Sequence, residues 1–131
     1  MKTIIKNYEI KQFSTFNETI KLFELNGTPT NITNWVIYGR IENFYESDES
    51  MYIICTKSRV PGQFTIGLSN ISTSELIAGT YPYDIVAQTE DGTVARIQSG
   101  TMTVTYGVAN PLDAQLTGNG VDTFLDGGVI P

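Results

Sequence analysis

Residues 79–105 read GTYPYDIVAQTEDGTVARIQSGTMTVT. Successive side chains of an extended chain point to opposite faces, so Tyr81, Tyr83, Ile85 and Ala87 share one side. Asp91-Gly92 accepts the positive φ angles of a two-residue hairpin turn. Val94, Arg96 and Ile97 form the return, Gly100 interrupts it, and Met102, Val104 and Tyr106 resume the alternation. The stretch predicts two strands joined by a tight turn and followed by a third.

Upstream, the same period recurs in short runs bounded by turn residues. Residues 3–12 alternate loosely, with Tyr8 and Ile10 in phase. Phe16, Ile20 and Leu22 align in the next run, and Glu18 shares their phase, which predicts a bulged or edge-like strand. Asn26-Gly27 and Pro29 end that run in a turn. Trp35 to Glu42 is the strongest central-strand candidate, with Gly39 in its middle where a neighbouring side chain can come close. A polar acidic loop (43–50) leads to a strand at Met51–Thr56, and Phe64, Ile66 and Leu68 alternate cleanly. Ser72 or Thr73 is expected to cap one helical turn carrying Leu76 and Ile77, stopped by Gly79. Seven or eight short strands at regular spacing predict an all-β protein, an immunoglobulin-like Greek-key β-sandwich over residues 1–106.

A chain of 131 residues suffices for one domain with a hydrophobic core. Its net charge of −6, with only eight basic residues, argues against nucleic acid and against an anionic membrane surface as partners. The single Cys55 forms no internal disulfide. No apolar run is long enough for a signal peptide or a membrane span, so a soluble chain made in the cytoplasm is expected.

Chemistry-bearing residues are sparse. Histidine is absent, which removes the side chain best suited to proton transfer at neutral pH. Glu42, Glu46, Asp48 and Glu49 form the one acidic cluster, and they lie in a loop with nothing to fix their geometry. They lack the calcium-loop pattern. Cys55 has no histidine partner and reads as a small core residue. Neither catalysis, nor a cofactor, nor a metal site is expected. Exposed aromatics such as Tyr38, Phe44, Tyr45 and Tyr52 suit stacking on a sugar or a protein partner.

From Gly107 the composition changes: 25 residues hold five glycines and two prolines, and the last basic residue of the chain is Arg96. Such a segment cannot build a core of its own, yet it carries spaced apolar side chains. Residues 107–131 are read as an extended arm that orders against a partner. Its expected docking residues are Leu116, Val121, Phe124, Leu125, Val129 and Ile130.

Taken in order, several of these features form a pattern. They are Phe16 to Leu22, Asn26-Gly27, Ile32-Thr33-Asn34-Trp35, Tyr38 to Ile41, Phe64 to Leu68, Ser72 to Leu76, Gly79 to Ile85, Asp91-Gly92, and Gly100 to Val104. This pattern, spread over residues 3–106, resembles the small immunoglobulin-like structural proteins of tailed bacteriophages, and the N-terminal domain of the upper baseplate protein family. The family's usual Ile-Arg order is reversed here as Arg40-Ile41. The resemblance implies a virion component without enzymatic activity, assembled in the host bacterial cytoplasm and present in multiple copies. Its partners would be tail, baseplate or capsid subunits. The competing expectation is a carbohydrate-binding adhesion module on the particle surface.

Overall fold

The computed structural model describes residues 2–42 and 50–109. The six arm residues expected to dock, Leu116 to Ile130, lie outside the described residues. So do Phe44 and Tyr45, and Glu46, Asp48 and Glu49 of the acidic cluster.

The protein is mostly β. Among the described residues, eight strands and one short helix follow in the order β1 (Ile4–Ile5), β2 (Tyr8–Lys11), β3 (Phe16–Lys21), β4 (Val36–Glu42), β5 (Ser50–Lys57), β6 (Gln63–Leu68), α1 (Asn70–Ser74), β7 (Gly79–Gln88) and β8 (Val94–Thr105). They form one mixed sheet in the order β1-β8-β7-β4-β5-β6-β3, with β2 also pairing β8. The sheet is strongly curled into a half-barrel, and β5 makes the corner. Its first half pairs with β4 (Ile53 opposite Gly39), whereas its second half pairs with β6 (Ile54 opposite Gly67). A strand that changes partners midway turns a sheet back on itself and encloses a core between the two halves.

The predicted inward rows build that core. Tyr81, Ile85 and Ala87 are fully buried and Tyr83 nearly so, joined by Phe64, Ile66 and Leu68 from β6 and by Ile41 from β4. Gly39 provides the expected close approach: a β-carbon there would stand 2.8 Å from Ile85 Cδ1. β3 is an edge strand in continuous antiparallel register with β6, so Glu18 marks an edge and not a bulge.

Four local expectations are corrected. β8 is a single strand through Gly100, and its irregularity is a bulge where Ile85 faces Gln98 but Val86 faces Arg96. Ile97 is the extra residue, so Ile97 and Gln98 both turn inward and the phase shifts for Met102 and Val104. Tyr106, beyond the strand, is exposed. The Asp91-Gly92 turn is longer than two residues: Thr89 N–H donates to Thr93 O (2.8 Å), Gly92 N–H to Thr89 O (2.9 Å), and Gly92 takes φ +91°. The helix is capped by Ser69, whose hydroxyl accepts from Ser72 N–H (3.1 Å). Thr73 lies inside the helix, buried, and donates to the Ser14 carbonyl at 2.9 Å.

The N-terminal segment runs parallel to β8 in two pieces, broken at Lys6-Asn7. Gly100 makes room for the break, since a β-carbon there would lie 2.1 Å from the Lys6 carbonyl oxygen. The break is fastened from three sides. Asn7 Oδ1 accepts Thr101 N–H (3.0 Å), Tyr83 donates its hydroxyl to Lys6 O (2.7 Å), and buried Gln98 donates to the hydroxyls of Tyr8 and Tyr83 (2.9 Å each). Buried polar groups with such partners avoid the cost of lost hydration. At the far end, Gly107 N–H donates to Gln12 Oε1 (3.1 Å), and Gln12 Nε2 donates to Leu76 O (2.8 Å).

Candidate functional site

The outer face of β5-β4-β7-β8 brings five exposed apolar side chains and four charged ones onto one surface. Alternation along β4 buries Gly39 and Ile41 and turns Val36, Tyr38, Arg40 and Glu42 outward. Pairing then sets their neighbours. Arg40 stands opposite Tyr52 on β5 and Asp84 on β7, Tyr38 opposite Val86, and Val36 opposite Gln88. Val86 and Gln88 face Arg96 and Val94 of β8.

One part of this face is apolar. Val36, Tyr52, Ile54 and Val94 each remain at least 60% exposed. The rings of Tyr38 and Tyr52 meet edge to face, with centroids 5.6 Å apart and planes at 62°. Partial desolvation raises the Tyr38 phenol above its ordinary pKa, as do the hydrogen bond and like charge of Tyr52.

The other part is a cleft of ≈ 510 Å³ with polar walls from Arg40, Glu42, Asp84, Ser99 and Thr101. Pro82 and Gly100 lie between them; the proline ring is short, and a side chain at Gly100 would point to Lys6 and not into the space. Arg96 Nε donates to Asp84 Oδ1 at 3.0 Å, an ion pair with both partners about half exposed. Arg96 pairs with Val86 across the hairpin and so stands diagonal to Asp84, while the bulge at Ile97 puts Ser99 directly opposite Asp84.

Of the four exposed aromatics expected from the sequence, Tyr38 and Tyr52 are brought together here. Arg40, Asp84, Ser99 and Thr101 were not expected as a group. Outward parity could have found Arg40 and Asp84. The bulge hid Ser99 and Thr101, because it shifts the phase of β8 after Arg96.

The remaining reactive group is Cys55, whose thiol is pushed up to about 11 by burial. At neutral pH it is a protonated thiol, a poor nucleophile. Among the described residues, no three His, Cys, Asp or Glu side chains stand close enough to hold a metal ion. None of their helices is long and apolar enough to cross a membrane.

No family model matches the chain, and no curated protein matches it by sequence. Solved structures include partial likenesses. An internalin-like protein of Listeria monocytogenes is 23% identical over 79% of this chain and 28% of its own, with a TM-score of 0.42. A family 123 glycoside hydrolase from Clostridium perfringens is 10% identical over 80% of this chain and 23% of its own, with a TM-score of 0.40. The chain spans about a quarter of the length of these two proteins.

Proposed function

We propose that this chain is a non-catalytic docking module, an immunoglobulin-like β-sandwich serving as an adaptor or accessory subunit of a tailed-phage virion. The observation that carries the docking role is the exposed apolar row Val36, Tyr38, Tyr52, Ile54 and Val94 on one sheet face. Apolar surface gathered in this way marks an interaction site more often than a random surface does. The immunoglobulin-like reading is supported by the pairing of β3 with β6, β4 with β7 and β7 with β8, and by the parallel N-terminal strand beside β8. It is also supported by Tyr81, whose hydroxyl donates to the Ile77 carbonyl four residues upstream at 2.5 Å, the arrangement of a tyrosine corner. The virion assignment rests on the sequence resemblance alone.

In this reading the sandwich is a rigid spacer, and the outer face and the arm bind neighbouring tail, baseplate or capsid subunits. Burial of apolar arm side chains at about 25 cal/mol per Å² offsets the entropy of ordering the arm. The test is incorporation into particles. An Ile54→Asp/Val36→Asp double variant and a chain lacking residues 110–131 are each expected to fall below normal occupancy. Normal occupancy of both overturns the docking role, and absence of the wild-type chain from purified particles overturns the virion assignment.

A second reading, the carbohydrate-binding adhesion module, is favoured by the Tyr38–Tyr52 pair exposed beside a polar cleft. It predicts glycan binding by the isolated protein.

A further inference from the structure

The geometry points to a neutral saccharide as the ligand of the cleft between β4, β7 and β8, with Tyr52 as the ring at its rim. The inference deepens the adhesion reading and rests on it.

The chemistry of the walls narrows the ligand class. Glu42 and Asp84 supply carboxylate acceptors, Arg40 a guanidinium donor, and Ser99 and Thr101 hydroxyls able to do both. Two carboxylates balance Arg40 on the wall and Arg96, which already pairs with Asp84. Such a balance among the described residues favours neither a phosphate nor a metal cation. It suits a molecule that offers donors and acceptors together and carries no charge of its own.

The shape narrows it further. The volume of ≈ 510 Å³ lies in the range of small-ligand sites, large enough for one or two sugar rings. The exposed ring of Pro82 stands among these walls, an apolar surface on which a sugar ring's C–H groups can rest. Tyr52 pairs directly across from Arg40, so its exposed ring stands next to the wall that Arg40 forms. Tyr38, edge-on to Tyr52, limits the orientations that ring can take. Polar walls, an apolar patch and a braced aromatic rim are complementary to a sugar's hydroxyl edge and C–H face. The outer face thereby divides in two, with Ile54 and Val36 in the apolar part and the saccharide contacts around Arg40 and Asp84.

The test titrates chitotetraose, maltotetraose and cellotetraose separately into the ¹⁵N-labelled full chain. At least one is expected to shift the amide signals of Arg40, Asp84, Ser99 and Thr101. Tyr52→Ala is expected to weaken that binding about tenfold, the scale of one lost aromatic contact. Asp84→Asn tests the wall. Thr101→Phe, at an outward strand position, fills the cleft and is expected to abolish binding while thermal unfolding stays unchanged. Ile71→Asp, at an exposed position of α1, is expected to leave the affinity as it is. Binding that persists unchanged in Tyr52→Ala and Thr101→Phe overturns the cleft assignment and leaves the adhesion reading standing. Absence of binding by all three sugars overturns both.

Discussion

A β-carbon added at Gly39 would stand 3.0 Å from Ile53 Cβ as well as 2.8 Å from Ile85 Cδ1. The first neighbour sits on the backbone and cannot swing away, so Gly39→Ala is expected to cost about 1–3 kcal/mol in denaturant unfolding. The opposite sign is expected at Thr30. Its hydroxyl is buried and has no hydrogen-bond partner among the described residues. Thr30→Val removes that unmet group at nearly constant volume and is expected to add about 1 kcal/mol. A third residue gives a pH signature. Burial, reinforced by the negative charges of Tyr8 and Asp84 and opposed by Gln98, pushes the Tyr83 phenol up to about 12 from 10.0. The folded state therefore holds this proton more tightly than the unfolded state does. Its contribution to stability is complete below pH 10 and is lost as pH rises through about 12. Absorbance at 295 nm is expected to show one tyrosine titrating near pH 12, and Tyr83→Phe is expected to remove that step.

Among the elements, two turns share one construction. Glu24-Leu25-Asn26-Gly27-Thr28 and Thr89-Glu90-Asp91-Gly92-Thr93 both place glycine at φ +91°, and in both the Asn or Asp side chain accepts from the following threonine N–H. The Asn/Asp-Gly signal thus gave the position of each turn correctly, while the added threonine contacts set the longer loop. The edge strand β3 illustrates a different constraint. Phe16 and Ile20 are buried, yet Glu18 between them, on the same parity, is exposed. A charge in the inward phase of an edge strand discourages another strand from adding there. Glu18→Val is expected to promote self-association, visible as larger species in sedimentation velocity. A monodisperse variant would show that the edge is protected by other means. At the β7 corner, Tyr81→Phe leaves the Ile77 carbonyl without its partner and is expected to cost about 1–2 kcal/mol.

For the whole molecule, the decisive feature is β5. Because the sheet passes through it without a break, both halves share one core, in which Ile53 is buried and Trp35 packs at the margin. One core and one continuous hydrogen-bonded sheet predict a single cooperative transition. Trp35 fluorescence and far-UV circular dichroism are expected to report the same midpoint. Separate midpoints would mean that the β3-β6 half opens independently of the rest. The outer face also belongs to this scale, since it draws on four strands and no single one presents it.

What the sequence determined by itself is what a few neighbouring residues can encode. The alternation of Tyr81, Tyr83, Ile85 and Ala87, the turns at Gly27 and Gly92 and the tolerance for Gly39 all follow from period, parity and local φ, whereas the sheet order decided that β3 is an edge and not a bulge. The tertiary structure decided what depends on partners distant in the chain. Asn7 meets Thr101 across 94 positions, and the break between β1 and β2 exists because Gly100 admits the Lys6 carbonyl. The bulge at Ile97 answers to pairing with β7, and it sets Ser99 opposite Asp84 and turns Ser99 and Thr101 to the outer face. The cleft follows in turn. Its walls come from three strands whose relative register no local pattern records, because register is fixed by the packing of inward faces against one another.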